Sequence, residues 1–98
     1  MAVMTMEYRR GPDHVYRFIA GEHLLISLRR EVGSPLFSFS DTGAVIWESL
    51  ADWMSTDSLV QELLDRFDVG REVAAADVDH FLEQLRSISA LQTRETQP

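Results

Sequence analysis

The stretch Pro35–Leu50, PLFSFSDTGAVIWESL, decides how the chain is read. Its first half alternates, with Leu36, Ser38 and Ser40 set against Phe37 and Phe39, which is the period of a strand. The period then changes at once. Ser40 or Asp41 can cap free amide groups, and Ala44, Ile46, Trp47 and Leu50 continue as an apolar helix. A strand this short, opened by a proline and closed by a helix, belongs at the edge of a sheet, because proline cannot donate to a ladder. An edge strand carries unpaired N–H and C=O groups that proteins normally protect. What this edge serves is the question that the remaining residues bear on.

Upstream, HVYRFIA alternates Val15, Arg17 and Ile19 against Tyr16 and Phe18, and HLLISL alternates Leu24, Ile26 and Leu28 against Leu25 and Ser27. A turn at Ala20-Gly21-Glu22 makes them a hairpin, and the polar RREVGSP, residues 29–35, leads into the third strand. Residues 1–12 have no sustained period and contain Gly11-Pro12, so they are expected to form a flexible arm. Downstream, a second helix opens in STDS, capped by Ser55 or Thr56, and carries Leu59, Val60, Leu63, Leu64 and Phe67 at helical spacing. Asp68-Val69-Gly70 ends it. A third helix runs from about Glu72 or Val73 to Ser89, with Val78, Phe81, Leu82, Leu85 and Ile88 on a broad apolar face. Trp53 and Met54, between the first two helices, either close the bottom of the core or face a partner. QTRETQP, residues 92–98, reads as a polar tail. Strands followed by helices, without alternation, predict an α+β domain over residues 13–91: a three-stranded antiparallel sheet, then three helices.

Ninety-eight residues bury about 60–65% of their unfolded surface, enough for one core and too little for a deep catalytic cavity. The absence of cysteine excludes disulfides and thiolate metal sites. No apolar run approaches the roughly 18 residues of a membrane span, and the first ten residues lack a signal-peptide core, so a cytoplasmic protein without a membrane partner is expected. Residues 1–40 carry five arginines against four acids (+1), whereas residues 41–98 carry four arginines against twelve acids (−8), and there is no lysine. Nonspecific nucleic-acid affinity comes from cationic side chains that neutralise phosphates, so a helical half this acidic points to a protein or peptide partner.

The chemistry-bearing residues do not assemble into an enzyme signature. His14, His23 and His80 fall in three different elements, with no ligand-forming neighbour at helical spacing beyond Asp77 and Gln84, and they read as solvated side chains. Asp77, Asp79 and Glu83 on the third helix, and Asp57, Glu62, Asp65 and Asp68 on the second, lie on polar faces beside Arg66 and Arg86. Paired-acid catalysis needs two carboxyl groups converging on a pocket. Without lysine, a phosphate-binding P-loop or a Schiff base cannot form. No catalytic residue, metal or cofactor is expected.

The order of the remaining signals resembles the PqqD-like family of peptide-binding modules, the precursor recognition elements of ribosomally made, modified peptides. Phe39-Ser40 stands where that family shows Leu-Asn, Thr42-Gly43 and Ile46-Trp47 match directly, and Leu50-Ala51-Asp52 matches up to a glycine that Trp53 replaces. Thr56 matches the helix opener, Asp77-Val78, Phe81-Leu82 and Leu85 match the last helix, and Ala90-Leu91 replaces a closing Gly-Leu. The resemblance covers residues 15–91. It implies a winged helix-turn-helix-like fold and a non-catalytic adaptor. Such an adaptor binds the leader segment of a precursor peptide and presents it to a modifying enzyme, such as a radical-SAM enzyme or a leader peptidase. The leader would add as a strand between the third strand and the third helix. Leu36, Phe37, Ser38 and Phe39 would then offer the edge. On the third helix, Asp77, Phe81, Gln84 and Ile88 form a stripe flanking the core line of Val78, Leu82 and Leu85, as a groove wall would. A winged helix also serves DNA-binding regulators, and the same domain could stabilise a partner enzyme without touching peptide. A recognition helix presents Arg, Lys, Asn or Gln to bases, and this one presents Asp77, Asp79 and Glu83 instead.

Overall fold

A computed structural model of the chain describes residues 4–28 and 36–96, the side chain of Leu36 excepted. The polar segment at residues 29–35 and the extreme ends, 1–3 and 97–98, lie outside the described residues. The elements are β1 (Thr5–Arg10), β2 (His14–Ile19), β3 (Glu22–Ser27), β4 (Leu36–Phe39), α1 (Asp41–Ser49), β5 (Met54–Ser55), α2 (Thr56–Arg66), α3 (Arg71–Ser87) and β6 (Leu91–Thr96). The architecture is α+β. The three expected strands are β2, β3 and β4, an antiparallel sheet in that order, and the three expected helices follow them.

The chain ends depart from expectation. Residues 5–10, assigned to a flexible arm, and residues 92–96, assigned to a polar tail, pair with each other as β1 and β6, antiparallel from Thr5↔Thr96 to Arg10↔Leu91. β1 also pairs with β5 through Glu7↔Ser55 and Tyr8↔Met54, which completes a second sheet in the order β5-β1-β6. Little of β6 is buried, so it has no apolar alternation to betray it. Main-chain pairing, which does not depend on sequence, holds it, together with Arg94. That guanidinium reaches Glu7 (2.7 Å) and lies 4.4 Å above the Trp53 ring. Trp53 and Met54 are therefore engaged by the chain's own ends.

Two local conformations are carried by residues poorly suited to them. The register Ile19↔Glu22 leaves a two-residue loop, one shorter than expected, with Ala20 at φ 53° and Gly21 at φ 80°. Both are left-handed, as a type I′ hairpin turn requires. At the end of α3, Ser89 also has a positive φ, 59°. Its N–H donates to the Arg86 carbonyl (3.1 Å) and the Ala90 N–H to the Leu85 carbonyl (2.8 Å), the bond pair of a Schellman motif. Ala20→Asn and Ser89→Gly are each expected to stabilise the domain by about 0.5–1 kcal/mol, since they relieve left-handed strain. Thermal melts of the two variants check this.

The helices start as read, on Ser40 and Ser55, whose side chains accept from the Gly43 and Ser58 N–H groups. Between them and the first sheet, Leu25, Ile46, Leu50, Leu59, Leu63, Val78 and Leu85 are fully buried. His14 is buried too, contrary to its reading as a solvated histidine. It opens β2 opposite Ser27, two residues before Tyr16, and so shares the face that Tyr16 packs against the core. No helix among the described residues is long and apolar enough to cross a membrane.

Candidate functional site

β4 is the last strand of its sheet. One edge pairs with β3, from Ile26↔Leu36 to His23↔Phe39, and among the described residues no strand pairs with the other. A cleft of about 240 Å³ lies between this strand and α3. Ser38, Phe39 and Ser40 line it from the strand and the helix cap, Thr42 and Gly43 from α1, and Asp77, His80, Phe81 and Gln84 from α3.

The floor of the cleft is aromatic. The Phe39 and Phe81 rings meet at 5.4 Å with a tilt of 52°, and Phe37 stacks behind Phe39 at 6.1 Å. Gly43 permits this: a Cβ there would sit 3.0 Å from both the Phe39 and Phe81 rings. Two polar arrangements fix the strand-to-helix junction. The Ser40 hydroxyl accepts from the Gly43 N–H (3.3 Å) and bonds the Thr42 hydroxyl (2.9 Å). His23 joins the sheet to α1, with Nδ1 2.7 Å from the Tyr16 hydroxyl and Nε2 2.7 Å from Asp41 Oδ1. A neutral ring protonated on Nε2 satisfies both, donating to Asp41 and accepting from Tyr16. The free edge is thus presented on a fixed frame.

Of the residues expected in the groove, Phe39, Ser38, Asp77, Phe81 and Gln84 line the cleft, with Phe81 mostly buried as its floor. Phe37 packs against the core behind it. Leu36 belongs to β4 through its backbone, and its side chain lies outside the described residues. Ile88 caps the end of α3, half-buried against the core and apart from the residues that line the cleft. Sequence reasoning passed over His80, Thr42 and Gly43. His80 lies three residues after Asp77 and four before Gln84, so helical spacing alone could have placed it on the same stripe.

A larger cleft, about 500 Å³, opens on another face of α1, lined by Arg10, Tyr16, His23, Trp47, Glu48 and Phe67 among others. Size would make it the default site. Its charged groups are already engaged, however. Arg10 lies 5.7 Å above the Trp47 ring and donates to the Trp47 carbonyl (3.4 Å), Asp41 holds His23, and Glu48 faces Arg66 at 3.8 Å. The smaller cleft is the one beside a strand edge that no strand among the described residues pairs. Among the described residues, no group of histidines and carboxylates is placed to hold a metal ion.

The family model for coenzyme PQQ synthesis protein D (PqqD) matches residues 22–90. The chain belongs to the PqqD family. The match runs from the start of β3 to Ala90, so it contains both walls of the cleft and leaves β1, β2 and β6 outside. Two solved structures share the fold of this PqqD-family chain. One is described as lasso peptide synthetase B1 complexed with the leader peptide: TM-score 0.69, 21% identity, covering 87% of this chain and 96% of that one. The other is TbiB1 in complex with the TbiA(beta) leader peptide: TM-score 0.69, 21% identity, covering 86% and 94%. No curated protein matches the chain.

Proposed function

We propose that this PqqD-family domain is a non-catalytic adaptor. It binds the leader segment of a ribosomally synthesised precursor peptide and presents it to a modifying enzyme, such as a radical-SAM enzyme or a leader peptidase. The leader adds as a strand to the free edge of β4 and lies against α3. The observation that carries this reading is the pairing of an open strand edge with an aromatic-floored cleft on a helix. Strand addition draws affinity from main-chain hydrogen bonds, and pockets at alternate positions supply selectivity. The other edges are less suited to it: β6 is polar and bears Arg94 and Glu95, and on β2 the Arg17 side chain donates to the Tyr16 carbonyl (2.8 Å). Family membership, and a fold shared with two proteins solved with leader peptides, support the same reading.

Amide hydrogen exchange tests it. Synthetic peptides covering the short reading frames beside the gene are mixed with the chain. One of them is expected to bind with micromolar or tighter affinity and to slow exchange most within Leu36–Phe39, as the N–H groups on the free edge pass from water into a ladder. Protection confined to Trp53, Met54 and β6 would place the partner on the second sheet and reject strand addition at β4.

A further inference from the structure

We propose that the groove selects a basic side chain, lysine or arginine, on the incoming peptide strand, and that Asp77 is the residue that reads it. This rests on the groove being the peptide site and adds the chemistry that the site prefers. Asp77 is half-buried in the cleft wall, and its carboxylate has no ion pair or side-chain hydrogen bond among the described residues. Of the exposed acids nearby, Glu83 on the same helix faces Arg86 at 3.6 Å and Asp41 beyond the cleft holds His23. Asp79, likewise without an ion pair among the described residues, is exposed and outside the cleft lining. Among the described residues, no arginine lines this cleft or the more open one at the end of the sheet, where Glu22 and Asp41 sit.

An unpaired carboxylate in a cleft wall attracts a cation, and a charge-assisted hydrogen bond to it is stronger than a neutral one. The remaining walls suit the stem of such a side chain. Lysine and arginine lay their methylenes over apolar surface while the charged head reaches a polar group, and a cation near an aromatic face gains further attraction. Phe39 and Phe81 provide that surface, with the Ser38 and Thr42 hydroxyls and the Gln84 amide oxygen as additional acceptors. At about 240 Å³ the cleft is smaller than the roughly 300–1,000 Å³ of small-molecule pockets, which fits a slot for one side chain. The −8 balance of residues 41–98 would draw a basic segment toward this half of the domain before contact.

The test uses a phage-displayed library of random dodecapeptides selected on the full chain, keeping clones that slow amide exchange at Leu36–Phe39. These clones are expected to share a lysine or arginine at one position. Replacing it by norleucine should weaken binding about tenfold or more. The same replacement should change little on Asp77→Asn, and Asp77→Arg should prefer glutamate at that position. The Asp77 carboxylate makes no ion pair or side-chain hydrogen bond among the described residues, so both variants are expected to fold. Groove-binding clones with no shared basic residue, or a basic preference that survives Asp77→Asn, would overturn the proposal and leave the groove reading intact. Tight binders that never protect β4 would overturn both.

Discussion

Leu85→Ala is expected to lower the stability of the domain by roughly 2–5 kcal/mol, the cost of removing a fully buried leucine from a core that cannot collapse around the gap. Leu85 is completely buried, in the same cluster as Leu25, Ile46, Leu63 and Val78. It lies on the face of α3 that packs into this shared core, so the cavity would open inside the core. A domain of this size has a total stability of about 5–15 kcal/mol, so the loss is a large share of it. The melting temperature should fall by about 10–30 °C. Leu85→Met, which nearly conserves volume, should cost less than about 1.5 kcal/mol. Urea denaturation of the two variants provides the comparison. Equal and small losses would mean that the core around α3 is looser than its burial indicates.

Removing residues 92–98 has the second-largest expected effect, and it tests the ends of the chain. The truncation takes away nearly all of β6 and with it the ladder from Thr5↔Thr96 to Arg9↔Gln92. It also removes the bridge from Arg94 to Glu7 and the guanidinium that covers Trp53. Main-chain bonds contribute about 0.5–1.5 kcal/mol each on balance, and the freed residues return part of this as chain entropy, so a net loss of about 2–4 kcal/mol is expected. β1 would keep only its short pairing with β5 and its bonds at the far end, Arg10 N–H to the Leu50 carbonyl and Gly11 N–H to the Ala90 carbonyl. Exchange at the β1 amides should therefore become fast, while peptide binding at β4, in the other sheet, persists below the lowered melting temperature. Unchanged stability would mean that the tail frays as its polar sequence predicts.

These two predictions mark where sequence reading works. The three helices were legible because each places apolar residues at a 3.6-residue period, two of them behind a serine cap: Leu59, Val60 and Leu63 behind Ser55 on α2 illustrate this. β4 was legible as an edge because Pro35 and the immediate helix cap leave no other place for it. The acidic balance of residues 41–98, which turned the reading from nucleic acid toward peptide, also needs no coordinates. β1 and β6 were hidden because their pairing is made by the backbone, and a polar strand facing water has no period to read.

Chemistry at close range was equally hidden. Helical spacing grouped Asp77, Phe81 and Gln84 on one stripe, yet only the fold brings Ser38, Thr42 and Gly43 to the other side of the same cleft. Helical spacing also extended that stripe to Ile88, where the helix in fact ends and turns through Ser89. His14 and His23 looked alike in sequence. One is buried on the inner face of the sheet, and the other spans Tyr16 and Asp41 from elements 25 residues apart in number. The sequence alone therefore determined the helices, the exposed edge and the sign of the charge, since all three depend on residues near one another along the chain. The closure of the second sheet and the composition of the cleft were decided by tertiary structure, because they depend on which distant backbones and side chains meet.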